Sequence, residues 1–91
     1  MQLEVSVPLL VSDCTNGQPN FRLEADTLSE ALQRLIELYP LLKVHLYTEH
    51  GMVRKHVFIY YNEDNLDWLG RLDIPLQSGD KLRILQAVSG G

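Results

Sequence analysis

Asp26 to Pro40 constrains the fold more than any other stretch, because it reads as one bounded helix with a single apolar side. Glu30 stands three residues beyond Thr27. At that spacing the Thr27 hydroxyl accepts the Glu30 N–H, and the Glu30 carboxylate reaches back to the Thr27 N–H, forming a capping box. Asp26 and Glu30 also suit the positive end of the helix dipole. Leu28, Ala31, Leu32, Leu35, Ile36 and Tyr39 then recur with helical spacing and form one apolar stripe. Gln33, Arg34 and Glu37 fall on the opposite side. The helix ends by Tyr39, since Pro40 disfavours helical backbone in the residue before it. A lone stripe of this kind must be covered by another apolar layer, and the flanking segments read as strands that provide it.

Upstream, Leu3, Val5 and Val7 alternate with Gln2, Glu4 and Ser6, the pattern of a half-buried strand. The pattern runs towards Val11, with Pro8 making its far end an edge or a bulge because proline has no N–H to donate. Ser12 to Asn20 is a cluster of turn formers, with Asn16-Gly17 the strongest hairpin signal. Phe21, Leu23 and Ala25 alternate with Arg22 and Glu24, so a second strand returns beside the first after a long, exposed loop. Downstream, Leu41 to Arg54 reads as a short helical turn followed by irregular chain, with His50-Gly51-Met52 a turn.

His56 to Tyr61 is a strong strand, with Val57, Ile59 and Tyr61 on one face and Phe58 and Tyr60 on the other. Asn62 to Asn65 reads as a polar turn and Leu66-Asp67-Trp68 as a very short strand. Leu72, Ile74 and Leu76 lead to a turn at Gln77 to Asp80. Lys81 to Val88 is the last strand, with Leu82 and Ile84 facing one way and Leu85 and Ala87 the other. The order is hairpin, helix, loop, strand, short strand, final strand, and the first and last strands form a natural parallel central pair. That order predicts an α+β, β-grasp (ubiquitin-like) domain, with a mixed sheet of about five strands packed on one main helix.

Composition narrows what such a domain can do. The chain has 91 residues, 45% of them hydrophobic, which suits one domain with its own core. Its net charge of −4 argues against nucleic acid or an anionic membrane surface as a partner, since both need a basic face. The single cysteine, Cys14, excludes an internal disulfide. With no basic leader before a long apolar run, the expected location is the cytoplasm. Cys14 reads as a loop residue, and His45, His50 and His56 lack the spacing of a metal site. Glu63, Asp64 and Asp67 read as a polar turn. No nucleophile–base arrangement, phosphate loop or dinucleotide fingerprint is present. No bound cofactor or metal is expected.

The last residues, Ala87-Val88-Ser89-Gly90-Gly91, follow the final strand directly. A glycine pair adds nothing to a core, so it is either a fraying end or a reactive one. The boundary is expected at residue 88, with 1–88 the folded domain and 89–91 a flexible tail.

Three stretches resemble the ubiquitin-like sulfur carriers of the MoaD/ThiS superfamily. They are the end from Leu85 to Gly91, the loop Leu72-Asp73-Ile74-Pro75-Leu76-Gln77-Ser78-Gly79-Asp80-Lys81-Leu82, and Ile59-Tyr60-Tyr61-Asn62-Glu63-Asp64 with Trp68 following. Val5-Ser6-Val7-Pro8 with Gly17-Gln18 is similar to the subgroup used in cysteine biosynthesis, the CysO type. The chain departs from many relatives at Gly70-Arg71, where they carry Gly-Gly, and at Ser78, where they carry Asp.

The resemblance implies a protein co-substrate rather than an enzyme. The Gly91 carboxylate would be adenylated by an E1-like enzyme using ATP and Mg, then converted to a thiocarboxylate with a sulfur donor protein. Gly90 and Gly91 would let the tail thread a narrow channel. The acceptor would be an enzyme such as a cysteine synthase. A processing metalloprotease would bare the glycines where the encoded chain runs on. Recognition would rest on Phe58, Tyr60, Leu85 and Ala87 on the sheet face away from the helix, unless the Leu41–Tyr47 segment covers Phe58 and Tyr60, with Val88 as a further partner-binding residue. The same resemblance admits a molybdopterin-synthase small subunit or a ubiquitin-like modifier, and the fold alone admits an inert binding module.

Overall fold

The computed structural model describes residues 1–86, with backbone alone for Leu10. Five strands form one sheet in the order β2-β1-β5-β3-β4. They are β1 (Gln2–Ser6), β2 (Asn20–Glu24), β3 (Val57–Tyr61), β4 (Asp64–Asn65) and β5 (Lys81–Gln86). β1 pairs parallel with β5 and antiparallel with β2, while β3 pairs antiparallel with both β4 and β5. The sheet is therefore mixed, with the first and last strands side by side at its centre, as the element order predicts.

Helix α1 (Leu28–Leu38) lies between β2 and a shorter helix, α2 (Pro40–Leu46). Leu28, Ala31 and Leu35 of α1 are buried. They pack into one core with Leu3, Val5, Leu23, Ile59, Leu82 and Ile84 of the sheet. Alternation along β1, β3 and β5 thus sends one set of side chains to the helices and the other to the opposite, outer face.

The α1 start differs from the expected capping box in one half. Glu30 N donates to Thr27 Oγ1 at 3.1 Å, as the spacing requires. The Glu30 carboxylate, however, accepts from Arg34 Nε at 3.1 Å instead of turning back to Thr27. The first N–H groups find other partners: Leu28 N donates to Ile74 O at 2.9 Å and Ser29 N to Leu72 O at 2.7 Å. Ala31 N bonds to Thr27 O at 2.9 Å. The Leu28, Ser29 and Glu30 N–H groups, which a helix start leaves open, are therefore satisfied, two of them by the Leu72–Leu76 segment. Leu76 N in turn donates to Asp26 O at 2.9 Å.

Three other expectations are corrected. The first strand stops at Ser6, and Leu9–Thr15 winds into a 3₁₀ helix rather than an exposed loop. Val11 and Thr15 are buried there because the segment packs on α2. Asn16 and Gly17 both take positive φ, 57° and 77°. They close that 3₁₀ helix, with Gly17 N on Ser12 O at 2.8 Å, and do not form a tight hairpin turn. Leu66–Trp68 is a 3₁₀ turn and not a strand, since Asn65 Oδ1 accepts from Asp67 N and caps it. The short edge strand is Asp64–Asn65, within the expected polar turn. Among the described residues no helix is long and apolar enough to cross a membrane. The expected boundary at residue 88 lies outside the described residues.

Candidate functional site

The outer sheet face carries the expected partner residues within the described chain. Phe58 on β3 stands opposite Leu85 on β5. Both are exposed, at 38% and 46%, although each is a large apolar side chain. Tyr60 stands opposite Arg83 and is half-buried, with the Arg83 guanidinium 5.8 Å from its ring centroid. That distance allows a cation–π contact. Helix α2 does not cover these residues. It turns Leu42 and Leu46 into the core and packs against α1 and the Leu9–Thr15 helix. Ala87, Val88, Gly90 and Gly91 lie outside the described residues.

Sequence reasoning overlooked the other half of this face. Two cross-strand rows precede the Leu85–Phe58 pair. The first is Arg22, Glu4 and Lys81, running from β2 through β1 to β5. The second is Asn20, Ser6, Arg83 and Tyr60. Between β2, β1 and β5 these rows border a surface groove of about 440 Å3. The signal was available: Lys81, Arg83 and Leu85 alternate, so one face of the strand had to carry all three.

A polar knot fixes the entry of β5 into the sheet. Asp80 is buried, at 9% exposure, and its carboxylate accepts from the Tyr61 hydroxyl. It also accepts from Asn62 Nδ2 at 3.2 Å and Gln77 N at 2.8 Å. Asn62 adopts φ 56°, a conformation asparagine tolerates, and its Oδ1 takes the Lys81 N–H at 3.0 Å. Burial works to raise the Asp80 pKa, but the hydrogen bonds from Tyr61, Gln77 and Asn62 outweigh it and hold the carboxyl below the usual range. Tyr61 is pushed up to about 12, by burial first and then by its bond to Asp80. Glu4 N completes the knot by donating to Asp80 O at 3.2 Å. β5 is thus anchored to both neighbours just before it supplies Lys81, Arg83 and Leu85 to the outer face.

The remaining titratable residues do not form a centre. Among the described residues no three His, Cys, Asp or Glu side chains gather where they could hold a metal ion. Cys14 is half-buried against the core.

Known proteins with this architecture agree on its family. The ThiS family profile matches residues 12–91. The sulfur carrier protein CysO of Mycobacterium tuberculosis is 30% identical over 93 residues, covering all of both chains. The crystal structure of that organism's CysO superposes with a TM-score of 0.78 at 28% identity, over 94% of this chain and 99% of the other. CysO of Amycolatopsis orientalis, solved in complex with BexX, gives a TM-score of 0.79 at 26% identity, over 98% and 99% of the two chains. Matched by that family over most of its length and by a CysO protein over all of it, the chain belongs to the ThiS family, as a ubiquitin-like sulfur carrier of the MoaD/ThiS type akin to CysO.

Proposed function

We propose that this carrier holds its sulfur on the carboxyl carbon of Gly91 and delivers it to biosynthesis of cysteine or a related sulfur metabolite. The observation that carries the reading is the family match, which runs to residue 91 and so takes in Ser89-Gly90-Gly91. Carriers of this family are protein co-substrates and not enzymes themselves, and so is this chain.

The chemistry follows from a poor electrophile. A carboxylate resists attack by a nucleophile. An E1-like enzyme using ATP and Mg joins the Gly91 carboxylate oxygen to the α-phosphorus of ATP, and pyrophosphate leaves. Hydrosulfide delivered by a sulfur donor protein attacks the carbonyl carbon of the resulting mixed anhydride, and AMP leaves. The product is a thiocarboxylate, an anion at neutral pH and a soft nucleophile for an activated carbon in an acceptor enzyme such as a cysteine synthase. A processing metalloprotease exposes Gly91 where the encoded chain continues past it. This chemistry belongs in the cytoplasm, with its ATP and reduced thiols. Docking to these enzymes uses the Phe58, Tyr60 and Leu85 face, together with Ala87 and Val88.

The test is intact-protein mass spectrometry of the chain ending at Gly91, after incubation with the E1-like enzyme of its source organism, ATP, Mg and sulfide. One oxygen-to-sulfur exchange is expected, and none in Gly91→Val or in a chain extended by one residue. Exchange in either variant, or none in the parent chain, overturns the reading. Isopeptide remnants of Gly91 on cellular lysines would instead assign a protein modifier.

A further inference from the structure

The outer face has two unlike halves, and the cations of one half make no ion pair among the described residues. Arg22, Lys81 and Arg83 border the groove between β2, β1 and β5, with Glu4 as the carboxylate among them. The ion pairs among the described residues are Met1–Glu24, Arg34–Glu30 and Arg71–Asp73, none of which involves these three cations. Arg83 is steadied by the Tyr60 ring and by a 3.4 Å contact of Nη2 with Asn62 O. Among the described residues no carboxylate pairs with it. A chain of net charge −4 thus concentrates three of its eight basic side chains on one stretch of sheet, next to the exposed Phe58–Leu85 pair.

We propose that this face docks a protein surface that places carboxylate side chains in the groove, against Arg22, Lys81 and Arg83, and apolar side chains on Phe58 and Leu85. This deepens the carrier reading and rests on it for the existence of a docking enzyme. Charge complementarity selects the occupant. Three cations on an otherwise acidic body favour a few fixed carboxylates and repel an extended polyanion such as nucleic acid. A free phosphate gains nothing from Phe58 and Leu85, whereas a folded partner covers both halves together. Glu4 sits in register between Arg22 and Lys81. It is the one carboxylate lining the groove, and so the one group there that repels an incoming carboxylate.

The experiment is an NMR titration of the isotope-labelled chain with a capped peptide carrying two glutamates flanked by leucine and phenylalanine. Two further probes are the same peptide with glutamines and inorganic phosphate alone. The glutamate peptide is expected to shift the amides of Arg22, Lys81, Arg83, Phe58 and Leu85, and added salt to weaken it. The glutamine peptide should bind about tenfold more weakly, at roughly threefold per lost charge pair. Arg22→Glu with Lys81→Glu should abolish the shifts, and Glu4→Gln should tighten binding about threefold. Equal binding of the glutamine peptide reduces the face to an apolar patch and overturns the proposal. Phosphate shifting the same amides at the same concentration makes the groove a free-anion site and also overturns it. So do shifts confined to the helical face, or none up to the solubility of the peptide. No ATP or sulfur is used, so thiocarboxylate formation at Gly91 stands or falls separately.

Discussion

The Tyr61 hydroxyl donates to the Asp80 carboxylate across 19 positions of sequence, tying the end of β3 to the residue that precedes β5. Tyr61 is 8% exposed and Asp80 9%, so the pair sits at the edge of the core and not in open water. Both belong to stretches that carry the family resemblance. Their contact gives those stretches a physical role: they hold in place the strand that leads towards the tail.

Breaking the pair should show in stability and in its pH dependence. Tyr61→Phe removes one donor and leaves Asp80 with Asn62 and Gln77, costing about 2 kcal/mol in urea unfolding. Asp80 has a depressed pKa, so its contribution is full above the ordinary carboxylate range and is lost as pH falls through its folded value. Tyr61 has a raised pKa, so its contribution is full below the ordinary phenol value and is lost as pH rises towards about 12. Stability should therefore fall at both extremes. Tyr61→Phe should flatten the alkaline fall, and Asp80→Asn the acid one. An alkaline limb unchanged in Tyr61→Phe would show that the hydroxyl is not held as described.

Much of this was legible because periodicity reports burial directly. The stripe Leu28, Ala31 and Leu35 and the alternation of Val57, Ile59 and Tyr61 each have one physical solution, and the buried sets match them. Local polar signals were less decisive. Asn16-Gly17 announced positive φ correctly, but the turn chemistry could not say whether a strand or a 3₁₀ helix preceded it. Glu30 had two partners in reach, Thr27 N and Arg34 Nε, and took the second, which sequence spacing also permits. The cationic row was harder to read. Arg22, Glu4 and Lys81 are far apart in the chain and meet through strand order alone.

The support that Leu72–Leu76 gives to α1 predicts a second effect. Leu76 is buried at 5% exposure and holds this segment against the core while Ile74 O and Leu72 O accept from Leu28 N and Ser29 N. Leu76→Ala should cost about 3 kcal/mol as a buried large-to-small change. It should also speed hydrogen exchange of the Leu28 and Ser29 amides more than that of the Ala31 amide, which bonds within its own turn to Thr27 O. Equal acceleration at all three would mean the segment does not act as the cap.

Thr27→Ala removes the side-chain acceptor of Glu30 N and should cost about 1 kcal/mol by thermal or urea unfolding. The cost should stay near that value because Leu28 N and Ser29 N keep their carbonyl partners. Thr27→Ser retains the acceptor and should recover most of the loss. A loss of several kcal/mol would show that the Leu72–Leu76 segment depends on Thr27 for its own position.

Neighbouring residues of β5 separate core from docking face. Ile84 is 2% exposed and Leu85 46%, with their side chains on opposite sides of the same sheet. Ile84→Asp puts an unpaired carboxylate into the core and should unfold the chain. Leu85→Asp leaves its charge in water. It should cost no more than about 1 kcal/mol, the scale of a lost cross-strand pair with Phe58. The same variant should raise the KM of the adenylating enzyme for the carrier and leave kcat nearly unchanged, because the lost contact lies in docking and not at the reacting carboxylate. Circular dichroism settles the folding half and initial-rate kinetics the other. A folded Leu85→Asp with unaltered KM would remove Leu85 from the docking face.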